Sequence, residues 1–431
     1  MNASPLRLAV YGFVEKEAGG LASANFVLLE RLVQRGHFID FYAVDPWVRP
    51  AGLFGYPNFR YCGTRLRGLE WGWKVVDRVP TRPACWAMQM GYSQVTTAGY
   101  NRGIGKAIDR ADRERPYDVL LTLGLLSPFR VSRVPTVSWT QGTPNGEREG
   151  LLHQRDRFIS LCGRPMFLAM DLFYRWREFT TRRELRRSQY VICGSKWALS
   201  SWSQLGLNAN RVFTLPYPVD LDLYKTTGRL SGGAEQVVEL LHLGRLVPRK
   251  RLDLLLEAYQ LLRATERNVH LRIIGAFSYG RAYQRLLGDS RLSAGMTYQD
   301  RVPRDEARES LQRADILIQP SENENFGAAV AEAQACGLPV VLGPTNGTKD
   351  YIDTDEFAFS AYEPVAVATA MARAVAAVRT RREQMQRSAR ASAERNFHVD
   401  GIIDRLEEIL RLASGRAIKA TSMARTQRAV P

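Results

Sequence analysis

Short unbroken apolar runs, each ending in a glycine or a polar turn and followed by helical periodicity, constrain this chain more than any other feature. Leu6-Arg-Leu-Ala-Val-Tyr-Gly12 is the first such run. Residues 21, 28, 29, 32 and 33 then form one apolar helix face, Gly36 closes it, and Phe38–Val44 reads as a second strand. Strands buried on both faces read as continuous rather than alternating apolar runs. Strand, loop, helix and strand in this sequence open a doubly wound α/β domain. Val119–Leu123, Thr136–Trp139, Tyr190–Cys193 and Arg211–Leu215 continue it, with a helix expected over Lys196–Leu205.

The alternation restarts after a polar, Gly-containing stretch at 217–236, which is expected to join two domains. Strands are expected at Val238–Leu243, Val269–Ile274, Met296–Val302, Asp315–Gln319 and Pro339–Leu342. Helices are expected at Leu252–Leu262, Ala282–Leu287, Asp305–Arg313 and Ala328–Ala335. Pro364 to about Asn396 reads as a long Ala/Arg-rich helix, and Ile402–Leu412 as an amphipathic one. The implied organisation is an N-terminal domain over 1–216, a second over 237–396, a crossover helix over 397–414 and a disordered basic tail over 415–431.

With 431 residues and 45% hydrophobic content, the chain is long and apolar enough for two cores. No apolar run reaches the length of a membrane span. Met1–Arg7 leads straight into a strand without a hydrophobic leader, so secretion by a signal peptide is not expected. Five dispersed cysteines without CxxC spacing suit reduced thiols in a cytoplasm, and no Cys/His spacing suggests a metal. The net charge of +16 favours a polyanionic partner: nucleic acid, anionic lipid or a phosphorylated ligand.

Two segments carry chemistry. In Pro320-Ser-Glu-Asn-Glu-Asn-Phe-Gly327, a polar loop leaves a buried strand and enters a helix, placing Glu324 in the loop and Glu332 two turns on. Ligands of open α/β sheets bind beyond the carboxyl ends of the strands, where helix N-termini also present free N–H groups. Two carboxylates so placed can hold different hydroxyls of one extended ligand. In Leu241-His-Leu-Gly-Arg-Leu-Val-Pro-Arg-Lys250, another strand ends at Gly244, and Arg245 and Lys250 can converge on a diphosphate. Taken alone, each segment also reads as ordinary surface charge.

Together these motifs resemble the retaining, nucleotide-sugar-dependent glycosyltransferases of family 4, with the GT-B fold. The matching residues are Gly19-Gly20 with Arg35-Gly36-His37, Gly244-Arg245 with Lys250, the strand–turn segment Met296–Pro303, and Glu324-x7-Glu332 followed by Gly337-Leu338-Pro339-Val340. Leu215-Pro-Tyr-Pro-Val-Asp220 is similar to the family's interdomain segment with two substitutions. The resemblance implies two Rossmann-like domains facing across a cleft, with the last helix crossing back to the first domain. It implies that Arg245 and Lys250 neutralise the leaving diphosphate and that Glu324 contacts the donor sugar. Glu332 would hold the ribose, and the N–H groups of Phe326 and Gly327 would bind sugar hydroxyls or phosphate. Gly20 would approach the diphosphate from the other domain, and Val302 lies where the family holds the base. No metal or cofactor is implied, and no dedicated protein base, since a phosphate oxygen can take the acceptor's proton.

Three positions depart from the family pattern. Gln141, before Gly142 on the acceptor side, stands where a histidine is usual; the turn Gln299-Asp-Arg-Val302 lacks its glycine; and Asp350 replaces a glutamate. Asp220-Leu-Asp222 and Asp353-Thr-Asp355 imitate a metal-binding DxD but read as loop acids. Gly103-Ile-Gly-Lys106 lacks the remaining residues of a phosphate-binding loop.

Residues 155–187 hold nine arginines against four acids, interleaved with large apolar residues, and Trp71, Trp73 and Trp86 lie in another basic stretch. Such helices suit an anionic bilayer or a lipid-diphosphate acceptor, or a core-facing helix with solvated arginines. The expected activity is transfer of a sugar to a glycan, lipid-linked or small acceptor in cell-surface polysaccharide or glycoconjugate synthesis, in the cytoplasm or at the inner face of the membrane. A sugar-nucleotide epimerase, a non-catalytic scaffold of the same fold and a polyanion-binding protein are the competing readings. No RNP strand or recognition helix supports nucleic-acid binding.

Overall fold

The computed structural model describes the chain except residues 1–3, 17–19, 45–47, 65–82, 141, 227–235, 278–284, 288–294, 354–355 and 417–431, and except the side chains of 83–98. Seven strands form one parallel sheet: β1 (Arg7–Gly12), β2 (Phe38–Val44), β3 (Phe59–Thr64), β4 (Val119–Gly124), β5 (Thr136–Thr140), β6 (Tyr190–Cys193) and β7 (Val212–Thr214), in the order β3-β2-β1-β4-β5-β6-β7. Five more form a second parallel sheet: β8 (Val238–Leu243), β9 (Val269–Ile274), β10 (Met296–Gln299), β11 (Ile316–Gln319) and β12 (Val340–Leu342), in the order β10-β9-β8-β11-β12. In both sheets the winding reverses beside the first strand, between β1 and β4 and between β8 and β11. Register there pairs Val10 with Leu121 and Leu241 with Leu317. These reversals open the crevices in which doubly wound sheets bind ligands.

The helices are α1 (Leu21–Gln34), α2 (Pro83–Glu114), α3 (Pro144–His153), α4 (Arg155–Cys162), α5 (Arg164–Leu185), α6 (Lys196–Gln204), α7 (Leu252–Thr265), α8 (Arg304–Arg313), α9 (Ala328–Ala335), α10 (Pro364–Asn396) and α11 (Val399–Ala413). Their ends follow local chemistry. Pro144 opens α3 in its first turn, where the Thr143 hydroxyl accepts the Gly146 N–H (3.3 Å), and Ser195 caps α6 through the Ala198 N–H (3.0 Å).

Several elements differ from the sequence expectation. β10 stops at Gln299 rather than Val302, because the Asp300 carboxylate turns back onto the Arg301 N–H (2.7 Å). Of the helix expected at 282–287, only Arg285–Leu287 is described, as a 3-10 turn. Gly103-Ile-Gly-Lys106 lies inside α2, in line with its reading as something other than a phosphate-binding loop. The long α10 breaks at Arg381, whose φ of −146° is not helical.

The expected interdomain stretch begins as core rather than as a polar tether. Tyr217, Val219 and Tyr224 are buried in the large core cluster, and Tyr217 stacks on Trp139 (5.0 Å) while facing Phe326 (5.5 Å). Helix α11 buries Ile402, Ile403, Leu406, Ile409 and Leu410 in the same cluster. Arg35, just beyond α1, meets Asp400 (3.1 Å), Asp404 (2.5 Å) and Glu407 (3.2 Å) on it.

Candidate functional site

Gly244 follows β8 and Pro320 follows β11, so both motif segments leave the sheet at its winding reversal. Gln319 ties the two ends together: its amide donates to the Leu243 carbonyl (2.6 Å) and its carbonyl accepts from Ser321 (3.2 Å). The 3-10 turn Pro248–Lys250 then lies under the Glu324 loop, fastened by the Glu322 N–H to the Arg249 carbonyl (2.8 Å). Two residues around this turn hold left-handed backbone without being glycine, Arg251 (φ 51°) and Asn323 (φ 53°). Such strain persists where surrounding contacts over-determine it. Arg251 pairs with Asp253 and Glu322, while the Asn323 amide donates to Glu149 (2.8 Å).

Glu324 is 8% exposed, and one carboxylate oxygen receives both Lys250 Nζ and Arg249 Nη1, the latter at 2.8 Å. Burial opposes its ionisation, but the Arg249 and Lys250 charges outweigh burial and hold its pKa at about 2. Burial lowers the pKa of Lys250, against the raising effect of Glu324. Arg245 stands nearby, exposed and in no ion pair among the described residues; its charge also lowers the Lys250 pKa. The arrangement is a carboxylate locked between two cations, with a third cation open to solvent.

Arg249 carries no signal in the sequence beyond membership of an Arg-Lys-Arg run. It is 7% exposed, and its Nε reaches Glu147 on α3 of the first domain (2.9 Å). The opposite end of the guanidinium holds Glu324, so the loop glutamate is tied to the first domain through one side chain. The neighbouring Asn325 adds a second tie. Its amide nitrogen donates to the Thr140 carbonyl at the end of β5 (3.1 Å), and its amide oxygen accepts the Gly194 N–H (3.3 Å).

Glu332 occupies different surroundings. It faces a cleft lined also by Gly20, Ser23, Tyr224, Arg304 and Phe326. Burial raises its carboxyl pKa, opposed by the Arg304 charge and a Tyr224 hydrogen bond. Gly20 precedes α1 with φ 56° and ψ −110°, backbone that a side chain disfavours, and a Cβ there would come within 3.8 Å of Ala328 across the cleft. The first N–H groups of α1 therefore open toward α9 and Glu332. Neither Tyr224 nor Arg304 was marked by the sequence motifs.

The other expected residues fall as follows. Phe326 is 8% exposed; its ring packs between Tyr217, Tyr351 and Phe397, so its side chain is core, leaving only its backbone to the cleft. The Gly327 N–H donates to the Thr348 hydroxyl (2.7 Å), so this expected ligand-binding group already has a partner within the chain. Val302 is half-buried beyond β10 against the large core cluster. Gly142 is exposed just after β5; Gln141 lies outside the described residues, as do Gly19, Trp71, Trp73 and Asp355, while Trp86 falls in a helix whose side chains are not described there. Asp350 accepts the Lys196 N–H at the start of α6 (2.6 Å), and Asp220 folds back on the Asp222 and Leu223 N–H groups. Asp353 pairs with Arg395. Among the described residues no group of three or more His, Cys, Asp or Glu is placed to hold a metal.

Two facing parallel α/β domains with paired switch-point loops are the GT-B architecture, and solved structures of that class align over nearly all of the chain. Sucrose-phosphate synthase from Thermosynechococcus elongatus covers 96% of this chain and 100% of its own at TM-score 0.65 and 16% identity. Anabaena HepE in complex with UDP-glucose covers 94% and 99% at TM-score 0.64 and 15% identity. At such identities the likeness is one of fold. Residues 231–392 match the family model "Glycosyl transferases group 1". The D-inositol 3-phosphate glycosyltransferase of Geodermatophilus obscurus is 31% identical over 243 residues, 52% of each chain. The GDP-mannose-dependent alpha-(1-6)-phosphatidylinositol monomannoside mannosyltransferase of Mycolicibacterium smegmatis is 31% identical over 117 residues, 26% of this chain and 31% of the relative. The chain thus spans about half the length, or less, of the curated relatives it matches.

Proposed function

We propose that this chain is a retaining glycosyltransferase of the family 4 type. It moves a sugar from a nucleotide-diphosphate sugar to a glycan, lipid-linked or small-molecule acceptor in cell-surface polysaccharide or glycoconjugate synthesis. The observation that carries the reading is the cluster at the β8/β11 switch point: exposed Arg245 beside Lys250 and the locked Glu324, with Glu332 in the interdomain cleft opposite Gly20. The matched second-domain family model and the named transferases among the relatives support it.

In this reading the bond between the sugar's anomeric carbon and the diphosphate oxygen breaks as the acceptor hydroxyl attacks from the same face. The electron pair leaves with the diphosphate, and a phosphate oxygen takes the acceptor's proton. Arg245 and Lys250 meet the developing negative charge as fixed cations, a preorganised electrostatic role that needs no metal. Glu324, ionised and held by Arg249, positions a donor-sugar hydroxyl, and Glu332 holds the ribose. The first-turn N–H groups of α1 and the Phe326 N–H complete the diphosphate and sugar contacts; Val302 flanks the base, and Gln141 and Gly142 face the acceptor. Glu324 is not a proton-transfer acid here, because its pKa of about 2 keeps it ionised. The expected location is the cytoplasm or the inner membrane face.

The test is a thermal-shift panel of UDP, GDP, ADP, CDP and dTDP and their sugars, with Arg245→Ala as control. A ligand at 100 times its Kd stabilises by about 2.7 kcal/mol, a shift of a few degrees. One nucleotide family shifting the wild type, with turnover of its sugar lost in Arg245→Ala, supports the reading. The absence of any shift would favour a scaffold without a donor site.

A further inference from the structure

Helix α5 presents a row of large apolar side chains to solvent. Leu168, Leu172, Trp176 and Phe179 follow helical spacing along it and are 55%, 69%, 40% and 53% exposed. Arg164, Arg182, Arg183 and Arg186 are exposed along the same helix and its end, and the Arg183 guanidinium lies 4.4 Å from the centre of the Phe179 ring. The helix's three acids are mostly covered and engaged. Asp171 pairs with Arg148 on α3 (2.6 Å) and with Arg175 (2.9 Å), Glu178 lies 4.0 Å from Arg148, and Glu184 pairs with Arg177 (3.5 Å); their side chains are 15%, 22% and 15% exposed. The opposite side of α5 is ordinary core, where Met166, Phe167, Met170 and Leu185 are buried.

We propose that this face of α5 docks the protein on an anionic phospholipid bilayer. A row of leucine and aromatic side chains edged by arginines is the pattern of a helix lying in the membrane interface, its apolar face among the upper acyl chains and its cations at the headgroups. Arginine stems extend the apolar area while their heads stay polar. A second copy of the chain is a poor occupant, because pairing two such faces would bring arginine rows together while the helix's acids are already held by Arg148, Arg175 and Arg177. Nucleic acid would match the charge but leave Leu168 and Leu172 uncovered. No helix among the described residues is long and apolar enough to cross a membrane. The position gives the docking a purpose: α3, whose Arg148 holds α5 through Asp171, also holds the donor side through Glu147 and Arg249. One helix therefore separates the docked surface from the locked Glu324.

The inference adds a partner to the proposed transfer but is tested without it. The full chain is mixed with vesicles of phosphatidylcholine alone or phosphatidylcholine with phosphatidylglycerol, and bound protein is measured by co-sedimentation over a salt series. Binding is expected only with phosphatidylglycerol and is expected to weaken with salt. Leu172→Asp/Trp176→Asp is expected to lose at least tenfold in vesicle affinity at unchanged unfolding temperature. Arg182→Glu/Arg183→Glu is expected to lose about fivefold for each arginine removed. Equal binding by wild type and both variants overturns the proposal. So does full displacement from vesicles by a random oligonucleotide that binds wild type and Leu172→Asp/Trp176→Asp alike, or self-association through this face in the absence of lipid. Nucleotide-sugar shifts measured in parallel keep the two questions apart: vesicle binding without any shift would sink the transferase reading alone, and shifts without vesicle binding would sink this one alone.

Discussion

Arg249 spends its guanidinium on carboxylates from two domains, Glu147 and Glu324, at a site almost closed to water. Taking away one partner of a buried ionic network is expensive because the remaining charges stay buried. Arg249→Met is expected to lower stability by about 3 kcal/mol, read as a fall of several degrees in unfolding temperature. Arg249→Met/Glu324→Gln should recover part of that loss; equal values for the single and double variants would show that Glu324 does not depend on the arginine. His242 gives a prediction in pH. It is fully buried on β8, where its Nδ1 lies 3.0 Å from the Ile318 carbonyl, a contact that requires a proton on Nδ1. Burial lowers its pKa from 6.5 to about 4, so the unfolded chain binds the extra proton first as pH falls. Stability is therefore lost between about pH 6.5 and 4, by about 2 kcal/mol between pH 7 and 5. The fall in unfolding temperature between those two pH values should shrink in His242→Phe; an unchanged fall would assign it to other groups.

Among the elements, α11 buries Ile402, Ile403, Leu406, Ile409 and Leu410 in the large core cluster. Leu406, fully buried, and Leu412, 43% exposed, sit six residues apart on this helix. Leu406→Ala should cost about 3 kcal/mol and Leu412→Ala almost nothing, as measured by chemical denaturation; comparable costs would mean that α11 is not fixed against α1. Element by element, legibility followed burial. β6, β8 and β9 end where the apolar runs end, because a strand buried on both faces has no other composition open to it. The edge strand β3, Phe-Arg-Tyr-Cys-Gly-Thr, has three half-buried and two exposed positions, so nothing in it stood out. Helix α2 runs through glycines at 99, 103 and 105, which resemble punctuation until packing overrides propensity. At the candidate site, Glu324, Glu332, Arg245 and Lys250 were marked in the sequence because they lie, in a recognisable order, in the segments that leave β8 and β11. Glu147, Arg249, Tyr224 and Arg304 were not, because their roles come from contacts between residues far apart in the chain.

On the scale of the whole molecule, the two sheets meet through tight backbone contacts as well as ion pairs. A Cβ added at Gly347 would stand 2.1 Å from the Ser195 hydroxyl of the first domain and 2.2 Å from the Asn325 carbonyl. Gly347→Ala should therefore hold the domains apart at a cost of about 1–3 kcal/mol. The radius of gyration from solution scattering should rise while helix content stays constant; an unchanged radius would show that the loop yields locally instead. The two-sided grip of Arg249 has a further consequence. If closure of the domains fixes Glu324 through Glu147, whatever binds better to the closed form must resist opening by that same free energy. For the proposed donor and acceptor, the factor by which one tightens binding of the other is then necessarily the same in both directions. Cutting the link at Glu147 should bring both factors toward unity together, leaving each ligand blind to the other.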